Sequence, residues 1–323
     1  MNSLTRLAGL AAFLLIGTAS AQYPTKPVRV VIPYPPGGVD ISTRLLMPTI
    51  EKETGQPWIL EYRSGAGGVI GLDYVARQPA DGYTLLVTLA NSWTVAPAVR
   101  KTTPYNPLTD FTPISLGIEP LGLVVAHPSF PGNNLTELIA YAKKNPGKVA
   151  WATSGIGSSW HMNGEMAKIG GNFDILHAPY QGFGPMIPAL LGGQIPVMMI
   201  TWSVVHPMIT SGKMKVLGMT NSDPKFKAIA PPGTQSFADV VPGYQAIPDW
   251  VGLAGPAGLP PALVQRVHGA YVKALHQPEV EERMAIDKTL IVGSSPEELS
   301  ARVKVEYARA QDAVKRASIP LQE

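Results

Sequence analysis

Two short stretches of this chain carry residues suited to holding an anion. The first is Pro35-Pro36-Gly37-Gly38-Val39-Asp40. A Pro-Pro-Gly-Gly run forbids both strand and helix. Gly37 and Gly38 lack a Cβ, so their backbone N–H groups can approach a ligand closely. The helix start that follows leaves further N–H groups unpaired, with the positive end of the dipole behind them. A carboxylate is the simplest ligand for such a place. The same residues also fit a tight strand-to-helix turn that binds nothing, and this stretch alone does not separate the two readings. The second stretch is Thr153-Ser154-Gly155-Ile156-Gly157-Ser158-Ser159, running into Trp160 and His161. It repeats the small-residue loop and helix start and adds hydroxyl donors. Two such loops in one chain suggest two jaws on one ligand. Asp40 reads as a cap that fixes its own loop, because a bare carboxylate would repel an anionic ligand.

Catalysis is the competing chemistry. Ser158, Ser159 and His161 lie close enough to suggest a nucleophile and its base. However, the chain has no Gly-x-Ser-x-Gly elbow. No acidic partner is evident, and neighbours at a helix start meet in poor geometry for a serine–base pair. An exported α/β hydrolase is therefore the alternative, and the main reading assigns no catalytic residue. The six histidines show no metal-ligand spacing, so neither a metal nor a cofactor is expected. Trp93, Trp160, Trp202 and Trp250 fall near loop or strand ends. Trp250 fits ordinary packing. Trp160 and Trp202 are candidates to stack on a planar ring in a cleft. Asn91, Ser92 and Thr201, at strand ends, are candidate hydrogen-bonding groups for the far end of a ligand.

These residues need elements to position them. Val28, Val30, Val31 and Ile32 form a β-branched run expected to be a buried strand. A helix is expected over 41–53, with Leu45, Leu46 and Ile50 on one face. Further strands are expected at 56–61, 83–89, 121–126, 148–152, 175–178, 197–200, 216–219 and 249–253. Helices are expected over 69–77, 135–144, 160–169, 185–191, 206–211 and 263–275. A capping box at Ser295-Pro296-Glu297-Glu298 opens a long helix reaching about residue 317. Gly65-Ala66-Gly67-Gly68 reads as a close-packed turn, since Gly71 falls one residue late for a dinucleotide fingerprint. Residues 104–113 read as irregular and 221–243 as a Pro-rich connection. The alternation predicts an α/β fold with mostly parallel sheets. Residues 123–249 are flanked by 22–122 and 250–323, which belong together as one domain. Two crossings between domains imply a hinged cleft.

Composition narrows the setting. Arg6, the apolar run 7–16 and Ala19-Ser20-Ala21 form a signal-peptide pattern over residues 1–21. The exported chain is expected to be soluble and periplasmic. It has no cysteine, and its formal net charge is +3, without a basic cluster to suggest nucleic-acid binding.

Specific motifs run through the whole mature chain. They are Pro33-Tyr34-Pro35-Pro36-Gly37-Gly38-Val39-Asp40 with Arg44, Gly65-Ala66-Gly67-Gly68 with Gly71, and Asp81-Gly82-Tyr83-Thr84. Residues 152–161, Pro179-Tyr180-Gln181-Gly182, and Pro242-Gly243-Tyr244 ahead of Trp250 continue them. The sequence resembles the extracytoplasmic receptors of the tripartite tricarboxylate transporter system, also called Bug proteins. The resemblance implies a type II periplasmic-binding-protein fold, with two α/β domains joined by two hinge crossings. It also implies a monomer that holds a carboxylate between its glycine and serine loops and delivers it to membrane permease subunits. Tyr34 joins the candidate site on this ground. Pro196 and Ile200 stand where relatives often carry Asp, and Trp160 where they carry a small residue. With Trp160 and Trp202 as ring faces, the expected ligand is an aromatic dicarboxylate of the phthalate or terephthalate type. An aliphatic di- or tricarboxylate such as adipate or citrate is the alternative.

Overall fold

The computed structural model describes residues 23–323, so the expected signal peptide lies outside the described residues. In chain order the first elements are β1 (Val28–Ile32), α1 (Gly38–Thr54), β2 (Trp58–Tyr62), α2 (Val69–Ala76), β3 (Thr84–Leu89) and α3 (Ala96–Ala98). Then come β4 (Phe111–Pro120), β5 (Gly122–Ala126), α4 (Leu135–Lys144), β6 (Ala150–Thr153), α5 (Ser159–Gly171) and β7 (Leu176–Pro179). They are followed by α6 (Phe183–Leu191), β8 (Val197–Thr201), α7 (Trp202–Thr210), β9 (Lys215–Met219), α8 (Phe226–Ile229) and α9 (Phe237–Val240). The chain ends with β10 (Val251–Pro256), α10 (Pro261–Leu275), α11 (Pro278–Ile286), β11 (Thr289–Ile291) and α12 (Pro296–Arg316).

The strands form two sheets, in the orders β11-β4-β10-β3-β1-β2 and β7-β6-β8-β5-β9. Apolar clusters cover both faces of each sheet. This explains why β1 is a nearly unbroken apolar run: Val28, Val30, Val31 and Ile32 are all 0 % exposed. The sheets are mixed rather than mostly parallel. β1 runs parallel to β2 and β3, and β6 to β7 and β8. β10 is antiparallel to β3 and β4, and β5 to β8 and β9. A parallel neighbour needs a crossover connection. Leu121 alone separates β4 from β5, so the chain enters the second sheet directly.

Strand β4 occupies part of the stretch read as irregular. Its Pro113 pairs beside a register shift in β10, where a missing N–H costs the ladder little. Helix α11 and strand β11 were not anticipated: α11 buries only Val280 and Met284, too few to show a period. Helix α12 carries the expected capping box, with Ser295 Oγ accepting from Glu298 N at 3.1 Å and Ser295 N donating to Glu298 Oε2 at 2.8 Å.

That helix spans both halves of the molecule. Leu299 and Val303 pack in a cluster on the first sheet, whereas Ala310, Ala313 and Val314 pack with the second. It adds a third tie to the two backbone passages, at Leu121 and along residues 220–250.

Candidate functional site

β1, β2 and β3 all end on one side of the first sheet, and β6, β7 and β8 on one side of the second. The crevice outside the carboxyl ends of such strands is the usual ligand position in α/β sheets. The two strand ends meet here: Asn91 Oδ1, just past β3, accepts a hydrogen bond from Ser159 N at the start of α5, at 3.0 Å. Gly157 also lies against Val99 and Gln322.

The loop after β1 is pinned from beneath. Leu89 N donates to the Tyr34 hydroxyl oxygen at 3.3 Å. The Tyr34 hydroxyl bonds to the Ser92 hydroxyl, which donates on to Gly67 O at 2.5 Å. Burial pushes the Tyr34 phenol up to about 12, so it stays a neutral donor. Ser92 is 0 % exposed and its hydroxyl is spent on this chain of bonds. It holds the loop in place.

Gly37 caps α1. Its N–H donates to Asp40 Oδ1 at 2.5 Å, and Asp40 N donates back to Gly37 O at 2.9 Å. The Asp40 carboxylate also accepts from Tyr62 Oη at 2.8 Å and Arg44 Nε at 3.4 Å. Burial works against its charge, but the bonds from Gly37, Tyr62 and Arg44 outweigh it and hold the carboxyl below the ordinary range. Asp40 is therefore the loop's internal cap. Among the described residues the N–H groups of Gly38 and Val39 have no protein partner, and no atom lies within 4 Å of a Cβ built at Gly38. Gly38 is exposed and Val39 half-buried at the N-terminus of a 17-residue helix.

The second loop is equally ordered. Ser158 Oγ accepts from His161 N at 3.2 Å and donates to Gly155 O at 2.8 Å, so its hydroxyl is used as the cap of α5. Gly157 N donates to His161 Nδ1 at 3.1 Å. His161 stacks on His177, ring centres 4.0 Å apart, and His177 Nε2 meets Thr153 Oγ1 at 2.6 Å. Burial first, then the neighbouring His177 and Lys168, pushes His161 down to about 3; burial and Lys168 push His177 down to about 4. Both rings stay neutral and act as struts. Ser154 lies half-buried at the mouth of the loop, Ser159 is buried, and the Trp160 N–H has no protein partner among the described residues.

The two tryptophans proposed as ring faces pack elsewhere. Trp160 is 4 % exposed and sits in the second sheet's core, edge-on to Phe183 at 6.2 Å. Trp202 donates from Nε1 to Ile286 O at 3.2 Å, stacks on His206 and lies 5.0 Å from the Lys288 ammonium. It joins the two halves of the molecule. Thr201 is buried at the end of β8, paired with Gly122 in the ladder.

Two features go beyond the sequence reading, which took Asp249 only as an acid placed near the cleft. The Gly65–Gly68 turn is part of the site wall: a Cβ at Gly68 would fall 2.2 Å from Ser92 Oγ, and its φ is +98°. Its neighbour Tyr34 was the available signal. The other feature is Asp249, just before β10 and opposite Asn91, since Ala90 N donates to Trp250 O at 2.9 Å. Its Oδ1 is shut off from solvent with no partner. Burial, with the charge of Glu306 added, pushes the Asp249 carboxyl up to about 7. Burial likewise pushes Glu306 up to about 7, against the pull of Arg302.

This acid pair makes stability depend on pH. A carboxyl whose folded pKa exceeds its unfolded one holds its proton more tightly in the folded state, so stability is lost as pH rises through the folded value. Below about 6.5 the neutral histidine pair works the other way, so the clean window is pH 6.5 to 8. Across it the chain should lose on the order of 1 kcal/mol, and Asp249→Asn should flatten the loss. Urea unfolding at the two pH values is the check, and equal slopes for both proteins would contradict it.

Among the described residues no cluster of His, Cys, Asp or Glu is placed to hold a metal, and no helix is long and apolar enough to cross a membrane. Comparison with known proteins points the same way as the two anion-ready helix starts. The model of the tripartite tricarboxylate transporter family receptor matches residues 43–317. Protein BugT of Bordetella pertussis is 31 % identical over 318 residues, covering 96 % of each chain. Rpa4515 of Rhodopseudomonas palustris, solved with adipate, superimposes with a TM-score of 0.81 at 27 % identity, covering 92 % of this chain and 99 % of that one. MatC of the same organism, solved with malate, gives 0.77 at 29 % identity, covering 90 % and 100 %. This chain therefore belongs to the tripartite tricarboxylate transporter receptor family, whose members are solute receptors.

Proposed function

We propose that this chain is a periplasmic receptor that captures a small dicarboxylate between its two halves and hands it to the permease subunits of a tripartite tricarboxylate-type transporter. The observation that carries the reading is the open pair of N–H groups on Gly38 and Val39. Gly38 is exposed and Val39 half-buried at the N-terminus of α1, on the side of the first sheet where Asn91 touches the start of α5. One carboxylate sits there, with Trp160 N–H and Ser154 reaching it from the opposite side. Closure pivots on Leu121, on residues 220–250 and on α12. The receptor acts as a monomer and needs no cofactor.

The aromatic reading, terephthalate or phthalate, rested on Trp160 and Trp202 as stacking faces. Both rings are occupied by packing, so neither favours a planar ligand over a flexible one. An aliphatic diacid is the better fit, and the relatives solved with adipate and malate support it. A thermal-shift screen against benzoate, malate, adipate, citrate, phthalate and terephthalate tests this. Malate or adipate should give the largest rise in Tm. A larger rise with terephthalate would restore the aromatic ligand, and stabilisation by benzoate alone would remove the diacid reading.

A further inference from the structure

Resting on that diacid reading, we propose that Asp249 is a specificity-determining residue that binds the ligand's second carboxylate as a protonated acid, donating its O–H, so that capture takes up a proton. Asp249 stands at the sheet end where β1, β2 and β3 deliver the anion loops. Its backbone lies beside that of Asn91, one strand spacing or about 4.8 Å away. Asn91 in turn touches the first turn of α5. This places Asp249 on the same side of the sheet as the helix starts proposed to hold the first carboxylate.

The surroundings of Asp249 favour the acid form. Glu306 faces it from α12, with its own oxygens taken by Trp250 Nε1 at 2.7 Å and by Arg302. Arg302 is held between Glu306 and Glu119 of β4, and Lys225 from the 220–250 passage reaches Glu119 at 3.1 Å. Tyr34, from the loop after β1, gives its proton to Ser92. Among the described residues the cations of this cluster are thus committed to other carboxylates, and Asp249 Oδ1 has no protein partner. A buried carboxylate without a counter-charge and next to a second acid takes a proton. In that form it is a donor, and an O–H donated to a carboxylate is a short, strong bond. Ionised, Asp249 would repel the same ligand.

The test is calorimetric titration of wild type, Asp249→Asn and Asp249→Ala with malate, adipate and glutamate at pH 6 and pH 8. Each titration is run in two buffers of different protonation enthalpy. The amide of Asn keeps a donor but cannot ionise. Wild-type affinity should fall about tenfold between pH 6 and pH 8, beyond any change seen with Asp249→Asn, which shares the ligand's own titration. Asp249→Asn should stay within about threefold of wild type at pH 6, and Asp249→Ala should lose about tenfold or more at pH 6 and bind about as well as wild type at pH 8. Proton uptake on binding at pH 7.5 should appear in wild type and vanish in Asp249→Asn. Diacid binding with equal pH dependence in wild type and Asp249→Asn would overturn the proton donor and leave the receptor reading intact. Tight binding of glutamate that Asp249→Asn abolishes would overturn it differently, by showing the side chain ionised against an ammonium group. Absence of binding by any diacid at either pH would remove both readings.

Discussion

Replacing Trp250 by alanine is expected to destabilise the folded chain by about 3–5 kcal/mol, the cost of emptying a fully packed indole site. Trp250 is 0 % exposed and meets Trp93 edge-on at 6.0 Å in the cluster beneath the first sheet. Its Nε1 also donates to Glu306 Oε2 at 2.7 Å. Removing the ring leaves a cavity, and it leaves a buried carboxylate dependent on Arg302 alone. Trp250→Phe separates the two effects. It refills most of the volume but keeps the lost bond, and should cost about 1–3 kcal/mol. Urea unfolding followed by circular dichroism measures both. A loss below about 2 kcal/mol for Trp250→Ala would mean that β10 and α12 are held together elsewhere. The variant should also disturb the cleft, because Trp250 O anchors Ala90 N directly below Asn91.

The sequence made the helix starts legible because their signals are local. Two glycines after two prolines, and a serine three residues before His161, announce a cap without reference to the rest of the chain. The buried strands were legible for the same reason: β1 must be apolar on both faces. The mixed sheet order was not legible. Whether β10 returns parallel or antiparallel depends on the single residue Leu121 between β4 and β5 and on the long 220–250 passage, and neither carries a pattern. The tryptophans misled because a strand end in sequence does not say which way a ring points. Trp202 turns toward Ile286 of α11, a helix with too few buried residues to be read in advance. Asp249 shows the converse. As one acid before a tryptophan it says little about its own protonation. It gains meaning only when Glu306, 57 positions along by subtraction of the two residue numbers, is brought behind it.

Among the described residues the first loop brings no unpaired cation of its own. Arg44, the basic residue nearest the first loop, is tied to Asp40 and Tyr62, and its charge is used to fix the cap. What the proposed site offers a ligand is backbone: N–H groups at helix starts, above a loop locked by Tyr34, Ser92 and Gly67. Rigid donors bind without first being ordered, which suits a receptor that must also release its ligand.

Gly38→Pro is expected to weaken diacid binding by about 10- to 100-fold while leaving the fold intact. Gly38 is the first residue of α1, where the N–H has no helical partner and where proline is well accommodated. Nothing lies within 4 Å of a Cβ built there, so the ring has room. Gly37, the preceding residue, has ψ −160°, an extended value compatible with a following proline, and remains glycine at its φ of 148°. The substitution therefore deletes one N–H group and little else. A hydrogen bond to a charged acceptor contributes about 1.5–3 kcal/mol, which converts to the stated loss. Gly38→Ala is the control, since it adds bulk but keeps the N–H, and should bind within about threefold of wild type. The two variants are compared by calorimetric titration with adipate and malate, alongside their unfolding midpoints. Equal losses in both would assign the effect to crowding. Unchanged binding in Gly38→Pro would take the carboxylate away from α1 and place it on the α5 loop alone.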